Sequence, residues 1–367
     1  MNFRRWLMQT LPLVISWPIV AEQIGLHGTC VTAVTETALG HAVQLRLRPP
    51  NSAVRVATMS DQLAVAFGIA RVRVQADRQF AHRVTVFLDQ ELSIGSVPYE
   101  PEHNPVGMPL DPLRALPIGL DDNGDEVAAS FYGQSILIGG NPGSGKSVAM
   151  RVILAGLAAS RNVCLIGIDP KHAELSLWRP RFSRLVLGNE VEPTVSLLDD
   201  LLVEVQRRAK YLGSTQSATL QPTNENPWIV LVIDEWAELG AAGDAKQRTH
   251  INSLLRRYLS VGRAVGCTAM LVSQKPTSDS VDTGTRTLMT HRFALKCGDR
   301  HQAEAILGVG AFLPDQLVSA APGRALWSDG GSATAIQFFN LTDNQVPELL
   351  CAAFTPRVSA LHLRGSE

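Results

Sequence analysis

The residues best suited to chemistry in this chain stand at 140–147, Gly-Asn-Pro-Gly-Ser-Gly-Lys-Ser. An apolar run at 134–139 leads into them, and a stretch with helical spacing follows. Glycines at these positions let the backbone turn tightly with its N–H groups facing inward, and the start of the following helix adds partial positive charge. Such a loop is a cradle for phosphate oxygens. Lys146 is placed to reach the outer phosphates, and the Ser147 hydroxyl to hold a magnesium ion. The pattern GxxxxGK[ST] between a strand and a helix is specific. Gly140, Asn141, Pro142, Gly143, Ser144, Gly145, Lys146, Ser147 and Val148 are therefore expected to surround the triphosphate of ATP.

A second chemical element lies at 228–238, WIVLVIDEWAE, where an apolar strand ends in Asp234 and Glu235. In a phosphate-loop protein the acid at such a strand end makes the second contact to Mg²⁺, usually through water, which assigns Asp234 to the metal with Ser147. Glu235 is the natural general base to polarise an attacking water. The pair favours hydrolysis over phosphate transfer to a second substrate, and no NKxD-type segment that would read guanine is evident.

These groups need a sheet to position them. From about residue 131, short apolar runs at 134–139, 163–168, 228–233, 268–273 and 292–296 alternate with helical patterns at 146–160, 194–212 and 250–265. That alternation predicts an α/β unit over 131–345, a mostly parallel sheet with helices on both faces. Before it, alternating stretches at 43–47, 54–57, 72–74 and 83–88 read as half-buried strands, and 59–68 as a helix that Ser60 could cap. Residues 31–100 are thus expected to form a small α+β domain, and 101–130, rich in Pro, Gly and Asp, a linker. Residues 346–367 read as a tail.

Residues 1–30 form a separate N-terminal segment. The apolar run at 6–20 follows Arg4 and Arg5 and contains Pro12 and Pro18. It is shorter than the roughly 20 residues a spanning helix needs, so a packed or membrane-surface amphipathic segment is expected. Hydrophobic residues make up 45% of the chain, charged residues 18%, and the net charge is −1. No global basic signature exists, so any nucleic-acid contact must be local. The five cysteines stand singly, away from zinc or disulfide spacing, which suits a reduced, cytoplasmic setting.

Further segments narrow the reading. IGIDPKHAEL (166–175), LLVEVQRRAKYL (201–212) and VGRAVGCTAMLVSQKPT (261–277), taken with GGNPGSGKSVAM and VIDEWAEL, resemble the RecA-like motor of the FtsK/SpoIIIE DNA translocases in order and spacing. Residues 40–95 resemble the small module that precedes that motor. The resemblance implies a ring, expected to be a hexamer, that moves double-stranded DNA at the expense of ATP. It implies that Gln274 senses the γ-phosphate or orients water, and that Arg263 reaches the neighbouring subunit's nucleotide, with Arg292 as the less favoured alternative. Asp169 and Lys171 either brace the nucleotide end of the sheet or build a structural turn with a salt bridge. The loop at 275–287 either lines the pore, where Lys275, Ser278 and Arg286 would touch DNA phosphates, or is an ordinary surface loop.

Two departures are visible. Lys275 stands where the family more often has arginine, and the tail after Phe339 is too short for a sequence-reading winged-helix domain. In outline the chain is most similar to the short TraSA/TraB-type transfer proteins of actinobacterial plasmids. The competing expectations are a protein-translocating ATPase of the type VII secretion kind and a nucleotide-gated adaptor. Lys146 and Glu235 argue against the adaptor.

Overall fold

The computed structural model describes residues 3–353 except 78, 92–93, 112–113, 224–225, 275–282, 309–316, 318–319 and 332. The chain divides into two compact units, residues 1–95 with 122–125, and the remainder.

The first unit contains helix α1 (Phe3–Gln23), strands β1 (Cys30–Thr37) and β2 (Gly40–Arg46), helices α2 (Ala53–Thr58) and α3 (Ser60–Phe67), and strands β3 (Arg71–Ala76) and β4 (Arg83–Asp89). The strands form one antiparallel sheet in the order β1-β2-β4-β3. Its core gathers Leu26, Val43, Leu45, Val56, Leu63, Val84, Val86 and Leu88. The helix α1 is amphipathic. Trp17, Val20 and Ala21 are buried, whereas Val14, Ile15 and Ile19 are exposed. Trp17 stacks on Phe67 at 5.7 Å and donates its indole N–H to Thr29 Oγ1 at 3.0 Å. Among the described residues no helix is long and apolar enough to cross a membrane. Arg71 and Arg73 both bond the fully enclosed Asp89 carboxylate, at 2.8 and 2.6 Å, and Arg71 also reaches Asp122 at 2.9 Å.

Residues 54–57, expected as a strand, lie in the helix α2. The cause is local. Ser52 adopts an extended conformation and its hydroxyl accepts from the Arg55 N–H, which starts a helix before the apolar alternation can pair with a neighbour. Ser52→Ala is expected to cost the first unit about 1 kcal/mol, read as a lower urea midpoint at unchanged slope.

The second unit is an α/β domain. Its strands are β5 (Val97–Pro98), β6 (Leu116–Asp121), β7 (Glu126–Ala129), β8 (Ile136–Gly139), β9 (Val163–Asp169), β10 (Phe182–Leu187), β11 (Trp228–Ile233), β12 (Cys267–Ser273), β13 (His291–Ala294), β14 (Arg324–Ser328) and β15 (Thr334–Asn340). Its helices are α4 (Lys146–Ala159), α5 (Val191–Thr215), α6 (Trp236–Ala241), α7 (Ala245–Gly262), α8 (Thr283–Thr287), α9 (Arg300–Leu307) and α10 (Gln345–Ala353). One sheet runs in the order β10-β9-β11-β12-β8-β13-β14-β15-β6-β7. The part from β10 to β13 is parallel, and β14, β15, β6 and β7 extend it antiparallel. Thus residues 101–130 include two strands of this sheet.

The central strands β8, β9, β11 and β12 are buried along their whole length, which explains their unbroken apolar runs. Two cores follow from the two covered faces. The first packs Leu197, Leu201, Leu255 and Tyr258 of α5 and α7 against the sheet. The second packs Met150, Ile153, Leu154 and Leu157 of α4 against it. Of the paired arginines on α5, Arg208 serves this packing. Arg208 is buried, bonds Glu204 at 2.7 Å and donates to the Val265 and Gly266 carbonyls, which ties the helix to the entry of β12.

Candidate active site

The strand order sets the site. Strand β12 lies between β8, which delivers the glycine-rich loop, and β11, which delivers the acids. Ser273 pairs with Gly139 across β12 and β8. All three strands are parallel, so the loop, Asp234–Glu235 and Gln274 emerge together at one end of the sheet, the end where ligands bind in open α/β sheets.

The loop is held by its neighbours. The Gly140 N–H donates to the Ser273 carbonyl at 3.3 Å, the Asn141 N–H to the Lys296 carbonyl at 2.7 Å, and the Gly323 N–H to the Ser144 carbonyl at 2.8 Å. Gly143 and Gly145 have φ of 74° and 95°, which favours glycine. At Gly145 a Cβ would lie 2.4 Å from the Gly323 nitrogen, a backbone atom that cannot turn aside. Gly145→Ala is expected to cost about 1–3 kcal/mol through left-handed strain and that clash. A parallel loss of ATP binding in a fluorescent-nucleotide titration checks it.

Lys146 opens α4 and is largely buried. Its ammonium donates to the Asn141 carbonyl at 2.8 Å. Burial lowers its pKa, an effect opposed by Glu235 and Asp234. The ammonium is thus partly stripped of water and bonded back to the loop carbonyl, a state from which a phosphate oxygen is a stronger partner. Cys297 lies close by, its thiol pushed up to about 12, first by burial and then by Asp299.

Asp234 follows β11, and its carboxyl is pushed up to about 7. Burial is the largest cause, and the neighbouring carboxylates of Asp169, Glu174 and Glu235 add to it. Negative charge is therefore in excess here, and a divalent cation between Ser147 and Asp234 would supply the missing positive charge. The donors suit Mg²⁺, which takes few protein oxygens and completes its shell with water and phosphate. Among the described residues no group of three His, Cys, Asp or Glu side chains is placed to hold a metal ion. Among the described residues the buried hydroxyls of Ser144 and Ser273 have no hydrogen-bond partner.

Glu235 is almost fully buried and has φ 56° and ψ 63°, the left-handed region. Its Oε1 accepts from the backbone N–H of Gln274 at 3.0 Å, and its Oε2 accepts from the Lys171 ammonium at 3.2 Å. Lys171 owes its place to Asp169. That carboxylate is fully buried, and its oxygens accept from the N–H groups of Lys171 and Leu175, closing the turn after β9. Glu174 pairs with Arg151 of α4 at 2.8 Å.

Other expected residues fall elsewhere. Arg263 is exposed in a single 3₁₀ turn at the entry of β12. It lies about 20 Å along the strand from its own loop, beside Tyr132 and Trp228. Arg292 donates to the Met289, Leu307 and Arg286 carbonyls, so its guanidinium is engaged within the chain. Arg286 donates to the Ala305 carbonyl at 2.8 Å. Lys275 and Ser278 lie outside the described residues. Sequence reading missed the Lys171–Glu235 pair, the support of the loop by Lys296 and Gly323, and Glu238, which lies within 4.0 Å of Lys171. Only the i, i+3 spacing of Glu235 and Glu238 could have drawn attention to the last.

The fold and the glycine-rich loop are those of a P-loop nucleotide-binding domain. Residues 100–226 match the model of the FtsK/SpoIIIE family. It is 23% identical over 342 residues to the DNA translocase FtsK of Listeria monocytogenes, covering 86% of this chain and 44% of that protein. It is 26% identical over 294 residues to the DNA translocase FtsK of Lactiplantibacillus plantarum, covering 71% and 36% respectively. The chain thus spans less than half the length of either relative. In fold it is similar to the pCW3 conjugation coupling protein TcpA, solved as a monomer with ATPγS, at TM-score 0.64 and 18% identity over 93% of this chain and 99% of that one. The cytoplasmic domain of the Thermomonospora curvata type VII secretion ATPase EccC shares the fold at TM-score 0.58 and 21% identity, over 73% of this chain and 34% of that one.

Proposed function

We propose that this chain is an ATP-driven translocase of double-stranded DNA that acts as a ring, taken as a hexamer, in transfer of plasmid or other mobile DNA or in chromosome segregation. The observation that carries the reading is Glu235, buried at the end of β11 and bonded to the residue after β12, one strand away from the phosphate loop. The family match and the names of the relatives supply the DNA. The likeness in fold to the conjugation coupling protein TcpA supports transfer.

In this reading the loop N–H groups and Lys146 hold the triphosphate. Lys146 leaves the Asn141 carbonyl for the outer phosphates. Glu235 takes a proton from the attacking water, which the Gln274 side chain orients. Ser147 and Asp234 would hold Mg²⁺, which would supply positive charge to the phosphates. Arg263, a strand's length from its own loop, acts on the nucleotide of a neighbouring copy, and Lys275, Ser278 and Arg286 would touch DNA phosphates. The motor works on the cytoplasmic side, and the exposed face of α1 within residues 1–20 is where it would meet a membrane surface.

The test is ATP turnover with and without duplex DNA, with oligomer size measured alongside. Turnover that rises with DNA together with ring-sized particles supports the reading. Turnover indifferent to DNA but raised by a secreted peptide would favour the type VII secretion alternative, with whose EccC the chain shares its fold.

A further inference from the structure

The general base is already occupied. One Glu235 oxygen accepts from the Gln274 N–H and the other from the Lys171 ammonium. A carboxylate that must accept a proton from water shares its lone pairs here with two donors, one of them charged, and a charge-assisted bond is the stronger competitor. The backbone at Glu235 is left-handed, a conformation that costs a non-glycine residue about 1–3 kcal/mol and persists only where its surroundings impose it.

Lys171 has a second carboxylate within reach. Its ammonium lies 3.2 Å from Glu235 Oε2 and 4.0 Å from Glu238 Oε1, one turn further along α6. The Lys171 side chain is 37% exposed and that of Glu238 54%, so a shift of the ammonium toward Glu238 meets little packing, whereas Glu235 is enclosed and cannot follow. The backbone of Lys171 is meanwhile fixed by the buried Asp169.

We propose that Lys171 is a positioning residue that restrains Glu235, and that transfer of its ammonium from Glu235 to Glu238 frees the base for turnover. The assignment rests on Glu235 being the base. It makes two substitutions at neighbouring charges act in opposite directions. Removing the charge in Lys171→Met releases Glu235, and the turnover number without DNA rises about fivefold at unchanged KM. Removing the alternative partner in Glu238→Gln leaves the ammonium on Glu235, and the same number falls by a similar factor. Lys171→Arg, which keeps a cation at this place, restores the low rate. A merely structural role for Lys171 would lower turnover in the methionine variant and give Glu238→Gln no opposite effect.

The experiment measures phosphate release by the full chain and these three variants, with Glu235→Gln beside them and fluorescent-nucleotide affinity as the check of folding. The proposal expects nucleotide affinity kept in all, a faster methionine variant, a slower Glu238→Gln and a silent Glu235→Gln. Unchanged or slower turnover in Lys171→Met, with Glu235→Gln silent, overturns the restraint and leaves the base assignment standing. Normal turnover in Glu235→Gln overturns the base assignment itself.

Discussion

Glu235→Gln is expected to bind ATP as tightly as the wild type and to release phosphate about a thousandfold more slowly, within the range general-base catalysis supplies. The amide keeps the shape of the side chain and its carbonyl oxygen can still accept the Gln274 N–H, so the fold at the end of β11 survives. It cannot take a proton from water, and it loses the charge that holds Lys171. Binding survives because the loop, Lys146 and Ser147 lie on β8 and α4, with β12 intervening. Nucleotide titration and single-turnover hydrolysis separate the two effects: loss in the chemical step with affinity kept marks the base, whereas equal loss in both would mark a damaged site.

Asp234→Asn is expected to stabilise the protein free of metal while abolishing magnesium-dependent turnover. The carboxyl, pushed up to about 7 by burial and then by Asp169, Glu174 and Glu235, prefers its neutral form in the folded chain. The sign follows by linkage. Below the unfolded value near 3.8, both states carry the proton and nothing is lost. As pH rises from about 4 to about 7 the unfolded chain ionises first, and stability falls. Above about 7 the penalty is constant, at about 4 kcal/mol. Asparagine removes that penalty, so Asp234→Asn is expected to melt about 5 °C higher at pH 8 and at the same temperature at pH 4. With Mg²⁺ and ATP present the order is expected to reverse at pH 8, because only the wild type gains from the ion. A variant less stable than the wild type at both pH values without metal would contradict the charge excess assigned to this site.

The parts of the site that were legible in the sequence are local. The loop at 140–147 shows itself because each residue type answers to a neighbour a few positions away, and the unbroken apolar runs of β8, β9, β11 and β12 betray strands buried on both faces. The end of β11 was readable for the same reason, since acids follow an apolar run directly. What escaped is set by strand order. Lys171 and Glu235 are 64 positions apart and meet because β9 and β11 are neighbours. Gln274 reaches Glu235 through its backbone, which carries no residue preference. The strands β14, β15, β6 and β7 extend the sheet beyond the parallel part, and the Pro and Gly in 101–130 hid two of them behind the composition of a linker. In the first unit the alternation at 54–57 was misleading, because one hydroxyl cap at Ser52 decided between strand and helix.

The measurement that bears most directly on the central claim is displacement of a third strand annealed to one end of a long duplex. A motor that runs along duplex DNA strips that strand as it arrives. With ATP and Mg²⁺ the full chain is expected to release it after a delay that grows with the length of the duplex, and to release none with ATPγS or with Glu235→Gln. Vigorous ATP hydrolysis with the third strand still bound, at every duplex length, would contradict the account.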